Sequence, residues 1–224
     1  ARPYFPPETT FLGVVDPGVG TRRRALFLRT GQQNFIGPDN GLFTYLLQSD
    51  DFQAWALENP ELALTHSSNT FQGRDLFAPA AAHAALGIPG AHFGNSVSAP
   101  LQFELPTLTY QSPGIWQGQV LHADHFGNLL TSFGQFMPGM QAGFTYQPWL
   151  GPTAATACLL EEASLQLPGG NWLRYTSTFA DIPAGECAFL LGSTGLLEIC
   201  ANRQSAANLL NLSPGDPLTL MTKK

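Results

Sequence analysis

Two oppositely charged side chains lie seven positions apart in a segment that follows a short apolar run. Residues 11–15 are apolar and predict a buried strand, and the turn-forming stretch 16–20 (DPGVG) comes directly after it. A turn there would bring Asp16 into contact with Arg23. Most such pairs only orient a loop, but an acid at the end of a strand can also take part in catalysis. The spacing alone therefore leaves both roles open.

A second polar group offers three metal-binding side chains within four positions, His122, Asp124 and His125. Alternation along a strand would send His122 and Asp124 to one face and His125 to the other, so one ion could not easily collect all three. We therefore expect no metal site here. Phe126 and Asn128 follow, and an Asn amide can pair with the donor and acceptor edge of a purine.

Several function classes have no support in the sequence. It contains neither GxSxG nor HExxH, which argues against a serine hydrolase and a zinc protease, and the loop 16–21 matches no phosphate-binding motif. The net charge is −6 and the one basic cluster, residues 22–24, is short, so we expect no nucleic-acid partner. No apolar run approaches the ~20 residues that span a bilayer, and we expect a soluble, cytoplasmic protein without a membrane partner.

The composition indicates an oligomer in a reducing compartment. Charged residues make up 12% of the chain, about half the usual share of ~25%, so much of the surface is either neutral or covered by another subunit. Cys158, Cys187 and Cys200 are odd in number, lack CxxC spacing and have apolar neighbours. They are expected to be buried free thiols.

The order of the predicted elements divides the chain into an α/β part and a β-rich part. Residues 25–29 and 34–37 predict a hairpin, residues 42–48 look helical, and residues 75–86 are the clearest helix. We place a linker near residues 105–113, which separates domains 1–106 and 113–224. Beyond the linker we predict mostly short strands separated by Gly/Pro turns, among them 119–123, 188–191, 196–201 and a last strand 218–221, together with a short helix 205–212.

Five motifs, taken in order and spacing, resemble one enzyme family. The motifs are residues 15–21 (VDPGVGT), 37–41 (GPDNG), 70–79 (TFQGRDLFAP), 124–128 (DHFGN) and 193–199 (STGLLEI) followed by Asn202. They are similar to those of the SAM hydroxide adenosyltransferases, where SAM is S-adenosyl-L-methionine. These enzymes are relatives of the SAM-dependent fluorinase and chlorinase.

The resemblance implies an architecture and an assembly. It implies an α/β N-terminal domain, with a central sheet flanked by helices, followed by a smaller β-barrel-like C-terminal domain. It further implies a homotrimer in which SAM binds at the subunit interface, and a βαβ segment with an Asp-Phe-Gly motif before residue 1. SAM is the substrate, so the resemblance implies no cofactor.

The resemblance also implies a reaction and three catalytic positions. Members of the family form adenosine and methionine by attack of water or hydroxide at the ribose C5′ atom, and an Asp, an Arg and a His orient the water. The matching positions are Asp16, Arg23 and Gln72, so Gln72 departs from the family pattern. Glutamine cannot take a proton near neutral pH but can hold a water. Two alternatives therefore stay open, a non-catalytic SAM- or adenosine-binding protein and a halogenase, although Asp16 argues against a halogenase.

The resemblance assigns substrate contacts mainly in the C-terminal half. Asp124 is expected to receive the ammonium group of the methionine moiety, and Ser193 lies near its carboxylate. Asn128 and the backbone near Arg203 are expected to hold the adenine edge, with Phe179 against its face. Because Ser193 and Asn202 bracket the predicted strand 196–201, they should emerge at its opposite ends. The complete expected binding set is Asp124, Phe126, Asn128, Phe179, Ser193, Asn202 and Arg203.

Overall fold

The computed structural model describes residues 2–48, 51–66, 68–138, 143–149 and 156–223. The chain divides into two compact units, Ala1–Leu105 and Pro106–Lys224. Within the given chain, the C-terminal unit is the longer of the two. The predicted linker also contains a strand, Thr109–Ser112, because this segment pairs with the strand that follows it and Tyr110 packs edge-on against Trp116.

The N-terminal unit contains a four-stranded sheet. Its two central strands form the predicted antiparallel hairpin, a third strand joins the hairpin in parallel, and a fourth pairs with its other side. The strands are β1 (Thr10–Leu12), β2 (Ala25–Thr30), β3 (Gln33–Pro38) and β4 (Gln53–Ala56), in the order β1-β3-β2-β4.

Alternating residues of the hairpin bury two different apolar layers. Leu26 and Phe35 face a layer that includes Phe43, while Phe27 and Ile36 face the layer on the other side. In that second layer lies the helix α1 (Ala78–Ala85), which continues a single π-helical turn, Gly73–Phe77. Together these segments confirm the predicted helix 75–86.

The expectation of a sheet flanked by helices holds only weakly. Among the described residues of this unit, α1 is the one α-helix, and the predicted helix 42–48 is a short 3-10 turn, Thr44–Gln48. The Thr44 hydroxyl donates to the Gly41 carbonyl (2.6 Å), a local bond that competes with regular helix geometry. Apart from α1, the helical segments that the structure describes in this unit are therefore short turns of three to five residues.

The predicted buried strand 11–15 is shorter and more exposed than expected. It pairs only over β1, and Val14 and Val15 beyond it are exposed. The physical reason is its position, since β1 has a strand neighbour on one side only in the described sheet. An apolar run alone does not distinguish an edge strand from a central one.

The C-terminal unit is a nearly closed, barrel-like sheet of ten strands. Paired strands are antiparallel. One isolated parallel bridge, from Tyr175 to Phe189, connects the residue after the strand Trp172–Arg174 with the strand Cys187–Leu191. The strands are β5 (Thr109–Ser112), β6 (Ile115–Ala123), β7 (Leu129–Gly134), β8 (Phe136–Pro138), β9 (Phe144–Tyr146), β10 (Thr156–Gln166), β11 (Trp172–Arg174), β12 (Cys187–Leu191), β13 (Leu196–Ala201) and β14 (Pro217–Lys223).

The interior of this sheet is apolar and the predicted helix lies beside it. Trp116, Phe133 and Phe189 are buried in one core. The helix α2 (Ala206–Leu210) begins after Ser205, whose hydroxyl accepts from the Asn208 amide (3.1 Å) as an N-cap. The predicted strand 196–201 is confirmed as β13.

The three cysteines are free thiols, as expected, and two of them are buried. Burial raises the pKa of Cys158 to about 11 and that of Cys200 to about 12, so neither is a reactive thiolate at neutral pH. Cys187 is only half-buried. Among the helices that the structure describes, none combines the length and the apolar character that crossing a membrane would require.

Candidate functional site

The loop that carries Asp16 is fixed by backbone contacts to β3 and to the turn after it. The Gly13 amide donates to the Ile36 carbonyl (2.9 Å), and the Asn40 side chain donates to the Val15 carbonyl (2.8 Å). A Cβ at Gly37 would lie 2.3 Å from the Gly13 carbonyl oxygen, so only glycine permits this approach. These contacts give the residue that follows Val15 a defined position.

Asp16 and Arg23 form the ion pair that their spacing predicts. The Arg23 Nε atom donates to both carboxylate oxygens, at 3.0 and 3.1 Å, and Nη2 also donates to Oδ2. The side chains are nearly buried, with Asp16 5% and Arg23 11% exposed. A fork of donors on one carboxylate fixes its orientation.

Gln72 joins this pair from a distant part of the sequence. It precedes the π-helical turn, and its Oε1 atom accepts a hydrogen bond from Arg23 Nη2. The Arg23 guanidinium also lies over the buried ring of Phe77, 5.2 Å from the ring centre. The structure therefore brings Asp16, Arg23 and Gln72 together, and we call these three side chains the Asp16 cluster.

Two other buried acids in this unit, Asp75 and Asp39, already form ion pairs with arginines. Arg74 donates to both carboxylate oxygens of Asp75, and the Ser68 amide donates to Oδ2 (2.7 Å). The hydrogen bond from Arg74 is the main reason why the pKa of Asp75 lies below its usual value. Asp39 is likewise paired with Arg24 (2.6 Å). Both acids hold neighbouring segments together, which leaves Asp16 as the acid of this unit's motifs that could act on a ligand.

In the C-terminal unit, Asp124 closes the loop between β6 and β7. Its Oδ1 atom accepts from the Phe126 and Asn128 amides (2.9 Å each), and its Oδ2 atom accepts from the Asn128 side chain (3.0 Å). Burial raises the pKa of Asp124, but these hydrogen bonds, led by the Asn128 side chain, outweigh it and hold the pKa below its usual value. Asp124 is therefore an anion at neutral pH.

A cavity of about 540 Å³ lies beside this loop. Its walls include two aromatic rings that are largely exposed, Phe126 (67%) and Phe179 (45%). Rings of this kind can pack against a planar ligand. Five of the seven expected binding residues line the cavity, and the complete lining is Phe126, Asn128, Phe179, Ala201, Asn202, Arg203, Gln204 and Ser205.

Contacts within the unit hold the cavity walls in place. The Asn202 side chain donates to the Ile182 carbonyl (3.0 Å), which ties the short 3-10 helix Phe179–Asp181 to the end of β13. Gly127 has a φ of +84°, and a Cβ there would lie 2.1 Å from the Ser205 hydroxyl oxygen. The loop and the start of α2 therefore approach each other only because residue 127 is glycine.

Ser193 and Asp124 do not line the cavity. Ser193 lies in the turn before β13, so the six residues of that strand, about 20 Å in length, separate it from Asn202. This is the opposite-end arrangement that the sequence predicts. Asp124 is adjacent to the cavity through its bonds to Phe126 and Asn128.

The histidines beside Asp124 belong to no metal-binding group. His125 packs on Phe126, with ring centres 3.7 Å apart. Within the described ranges no three His, Cys, Asp or Glu side chains come together as potential metal ligands.

Sequence reasoning missed several residues that shape both sites. Ala201, Gln204 and Ser205 line the cavity, and Phe77 supports Arg23, but none was predicted. The N-cap role of Ser205 could have been predicted, because serine is a common capping residue and here stands at the start of a predicted helix. Nothing in the spacing identifies Phe77, whose contact with Arg23 depends on the tertiary fold.

Two family descriptions match the chain in succession. Residues 1–94 match the SAM hydroxide adenosyltransferase N-terminal domain, and residues 118–219 match the SAM hydroxide adenosyltransferase C-terminal domain. The chain is similar to a (R)-S-adenosyl-L-methionine hydrolase of Thermus thermophilus, with 38% identity over 99% of this chain and 79% of the relative.

A fluorinase and a solved structure are also similar. The fluorinase of Actinoplanes sp. is 26% identical over 97% of this chain and 78% of its own length. The crystal structure of an uncharacterized conserved protein from Thermotoga maritima superposes with a TM-score of 0.70 and 28% identity, covering 98% of this chain and 80% of that one.

Proposed function

Since this chain belongs to the SAM hydroxide adenosyltransferase family, we propose that it hydrolyses SAM to adenosine and L-methionine. The observation that carries the proposal is the nearly buried Asp16 carboxylate, which two nitrogens of Arg23 hold in a fixed orientation. The reaction requires an acid in a fixed orientation, and the Asp16 side chain accepts no backbone hydrogen bond within the described residues. The hydrolase from Thermus thermophilus, 38% identical, is named for this activity.

The reaction requires an oriented nucleophile and no protonation of the leaving group. Water attacks the ribose C5′ carbon, the C5′–S bond breaks, and its electron pair remains on sulfur, so the positive sulfonium becomes the neutral thioether of methionine. The leaving group needs no proton, and the attacking water must lose one. In our proposal the Asp16 carboxylate accepts that proton, while Arg23 keeps the carboxylate oriented. No cofactor takes part in this scheme.

We propose that the cavity of the C-terminal unit receives the adenosine part of SAM. Its volume of about 540 Å³ lies within the range of about 300–1,000 Å³ that is typical of small-molecule sites. Asn128 presents an amide to the adenine edge and Phe179 presents a ring to its face. Asn202 acts on binding through the segment that carries Phe179, because it bonds to the Ile182 carbonyl.

The methionine part of SAM is assigned to Asp124 and Ser193. Asp124 is supported by its lowered pKa, because a carboxylate that stays ionised attracts the substrate ammonium group. Ser193, at the far end of β13, is proposed as a hydroxyl partner of the substrate carboxylate on the resemblance alone.

We further propose that the protein is a cytoplasmic homotrimer that binds SAM at a subunit interface. The support is the family resemblance and the low share of charged residues, 12%, which fits a surface that another subunit covers.

One alternative has a specific observation in its favour. Gln72 stands where the family has histidine, which is what a SAM-binding protein without catalysis could show. A halogenase is less favoured, because the identity to the fluorinase is 26% against 38% for the hydrolase.

Incubation with SAM, followed by separation of the products, distinguishes the three functions. We expect adenosine and methionine in equal amounts in halide-free buffer, with no change on addition of chloride. Binding of SAM without product would support the non-catalytic alternative. Appearance of 5′-chloro-5′-deoxyadenosine would support the halogenase.

A further inference from the structure

The orientation of the Gln72 amide is decided by its partner. Arginine side chains carry only hydrogen-bond donors, so the Gln72 atom that meets Arg23 Nη2 must be the carbonyl oxygen. An amide flip, which is normally hard to settle, would place two donors against each other here. The Nε2 group of Gln72 is therefore directed away from Arg23, and it makes no hydrogen bond to any residue in the described ranges.

The Asp16 cluster is therefore left with one hydrogen-bond acceptor and one hydrogen-bond donor for a ligand. Asp16 offers the carboxylate lone pairs that Arg23 does not use, and Gln72 offers the two N–H groups of Nε2. A water that donates one hydrogen bond to Asp16 and accepts one from Gln72 has its remaining lone pair free for attack. Such a pairing fixes the position of the water as well as its orientation.

We propose that Gln72 is a catalytic hydrogen-bond donor that holds the nucleophilic water through Nε2, and that Asp16 is the group of the cluster that takes its proton. This inference rests on the proposed hydrolase function. The proton passes from the water to Asp16 as the O–C5′ bond forms and the C5′–S bond breaks. Gln72 contributes no proton at any step.

The same geometry explains how glutamine can stand at a position where the resemblance expects histidine. A neutral imidazole has one nitrogen that accepts and one that donates. With its acceptor nitrogen toward Arg23, a histidine would present an N–H to the water, which is the polarity of Gln72. The two side chains differ in one respect, since histidine loses its acceptor when it is protonated.

The isosteric change Gln72→Glu separates the donor role from a purely structural one. Glutamate keeps an oxygen that accepts from Arg23 but replaces the Nε2 donor with a second acceptor. We expect kcat to fall at least tenfold while the Kd for SAM changes less than about threefold. As a control, Gln32→Glu adds the same charge at an exposed position of the same unit. A Gln72→Glu enzyme with the kcat of the control would overturn the proposal.

The pH profile of Gln72→His provides a second, independent readout. The charged groups in contact with residue 72 and its partners are Asp16 and Arg23, while Arg74 and Asp75 on the adjoining turn pair with each other. We expect the Gln72→His enzyme to lose activity as the pH falls through about 6.5, the usual pKa of histidine, because the imidazolium cannot accept from Arg23. The unsubstituted enzyme should show no inflection there.

The outcomes separate this inference from the proposed function. If the unsubstituted protein forms no adenosine from SAM, the hydrolase proposal fails. If it is active, but kcat of Gln72→Glu equals that of its control or the profile of Gln72→His lacks the new inflection, the donor role of Gln72 fails alone.

Discussion

At the residue scale, the Asp16 carboxylate differs from the other buried acids of its unit in its hydrogen-bond partners. Arg23 contacts both oxygens of Asp16, whereas the other buried acids of this unit, Asp39 and Asp75, are tied to backbone amides as well as to an arginine. For Asp39 and Asp75, these backbone bonds hold neighbouring segments of the unit together. Asp16 has no such bond within the described residues, so its remaining lone pairs can serve a ligand.

Replacing the proposed proton acceptor should slow the chemical step. In Asp16→Asn the amide can still fill the space beside Arg23 but cannot accept a proton, so we expect kcat to fall at least 100-fold. The Kd for SAM, measured by calorimetry, should change less than about threefold, because the substrate contacts lie elsewhere. The control is Glu61→Gln, which removes an exposed carboxylate from the same unit. Equal turnover in the two variants would remove Asp16 from the mechanism.

At the element scale, the cavity beside Asp124 is shaped by a close contact between a loop and the start of a helix. Gly127 in the loop between β6 and β7 lies against Ser205, which caps α2. The Ala207 amide donates to the Gly127 carbonyl (3.0 Å) and joins the two segments. Asn128 and Phe126 on one side and Arg203 on the other therefore owe their relative positions to this contact.

Gly127→Ala should damage this contact and the cavity together. We expect a loss of unfolding free energy greater than the ~1–2 kcal/mol of a left-handed backbone alone, and a Kd for adenosine at least tenfold higher. Gly170→Ala is the matched control, because Gly170 has a φ of +91° but no atom within 4 Å of the added Cβ. Urea unfolding and calorimetry measure the two effects. Equal losses in both variants would show that the Ser205 contact is unimportant.

The elements that sequence reasoning found are those specified by local chemistry. The hairpin β2–β3, the helix 75–86 and the strand β13 each carry their own turn formers or periodicity. The exposure of β1, by contrast, depends on where it lies in the sheet. The strand β5 in the expected linker forms through pairing with β6.

The site shows the same division between local and tertiary information. Spacing predicted the Asp16–Arg23 pair, because seven residues can close a turn. No spacing rule could join Gln72 to Arg23, which lies 49 residues away. The family resemblance supplied that position, and only the fold supplied the direction of its amide.

At the scale of the whole molecule, the prediction concerns assembly. Several large apolar side chains are exposed next to the proposed catalytic residues in the sequence, including Val15 (67%) and Phe71 (60%). Together with the low charge of the chain, this fits a surface that another subunit covers. We expect light scattering to give three times the mass of one chain, with no change on tenfold dilution. The mass of a single chain at every concentration would contradict the trimer.

The origin of the 5′ oxygen in adenosine shows directly whether water attacks C5′. The protein is incubated with SAM in H₂¹⁸O without halide, and adenosine is analysed by mass spectrometry. The account predicts adenosine that carries one ¹⁸O atom at the 5′ position, together with unlabelled methionine, because water attacks C5′ and sulfur leaves with its electron pair. Bound but unchanged SAM would contradict hydrolysis, and adenosine without label would contradict attack by water.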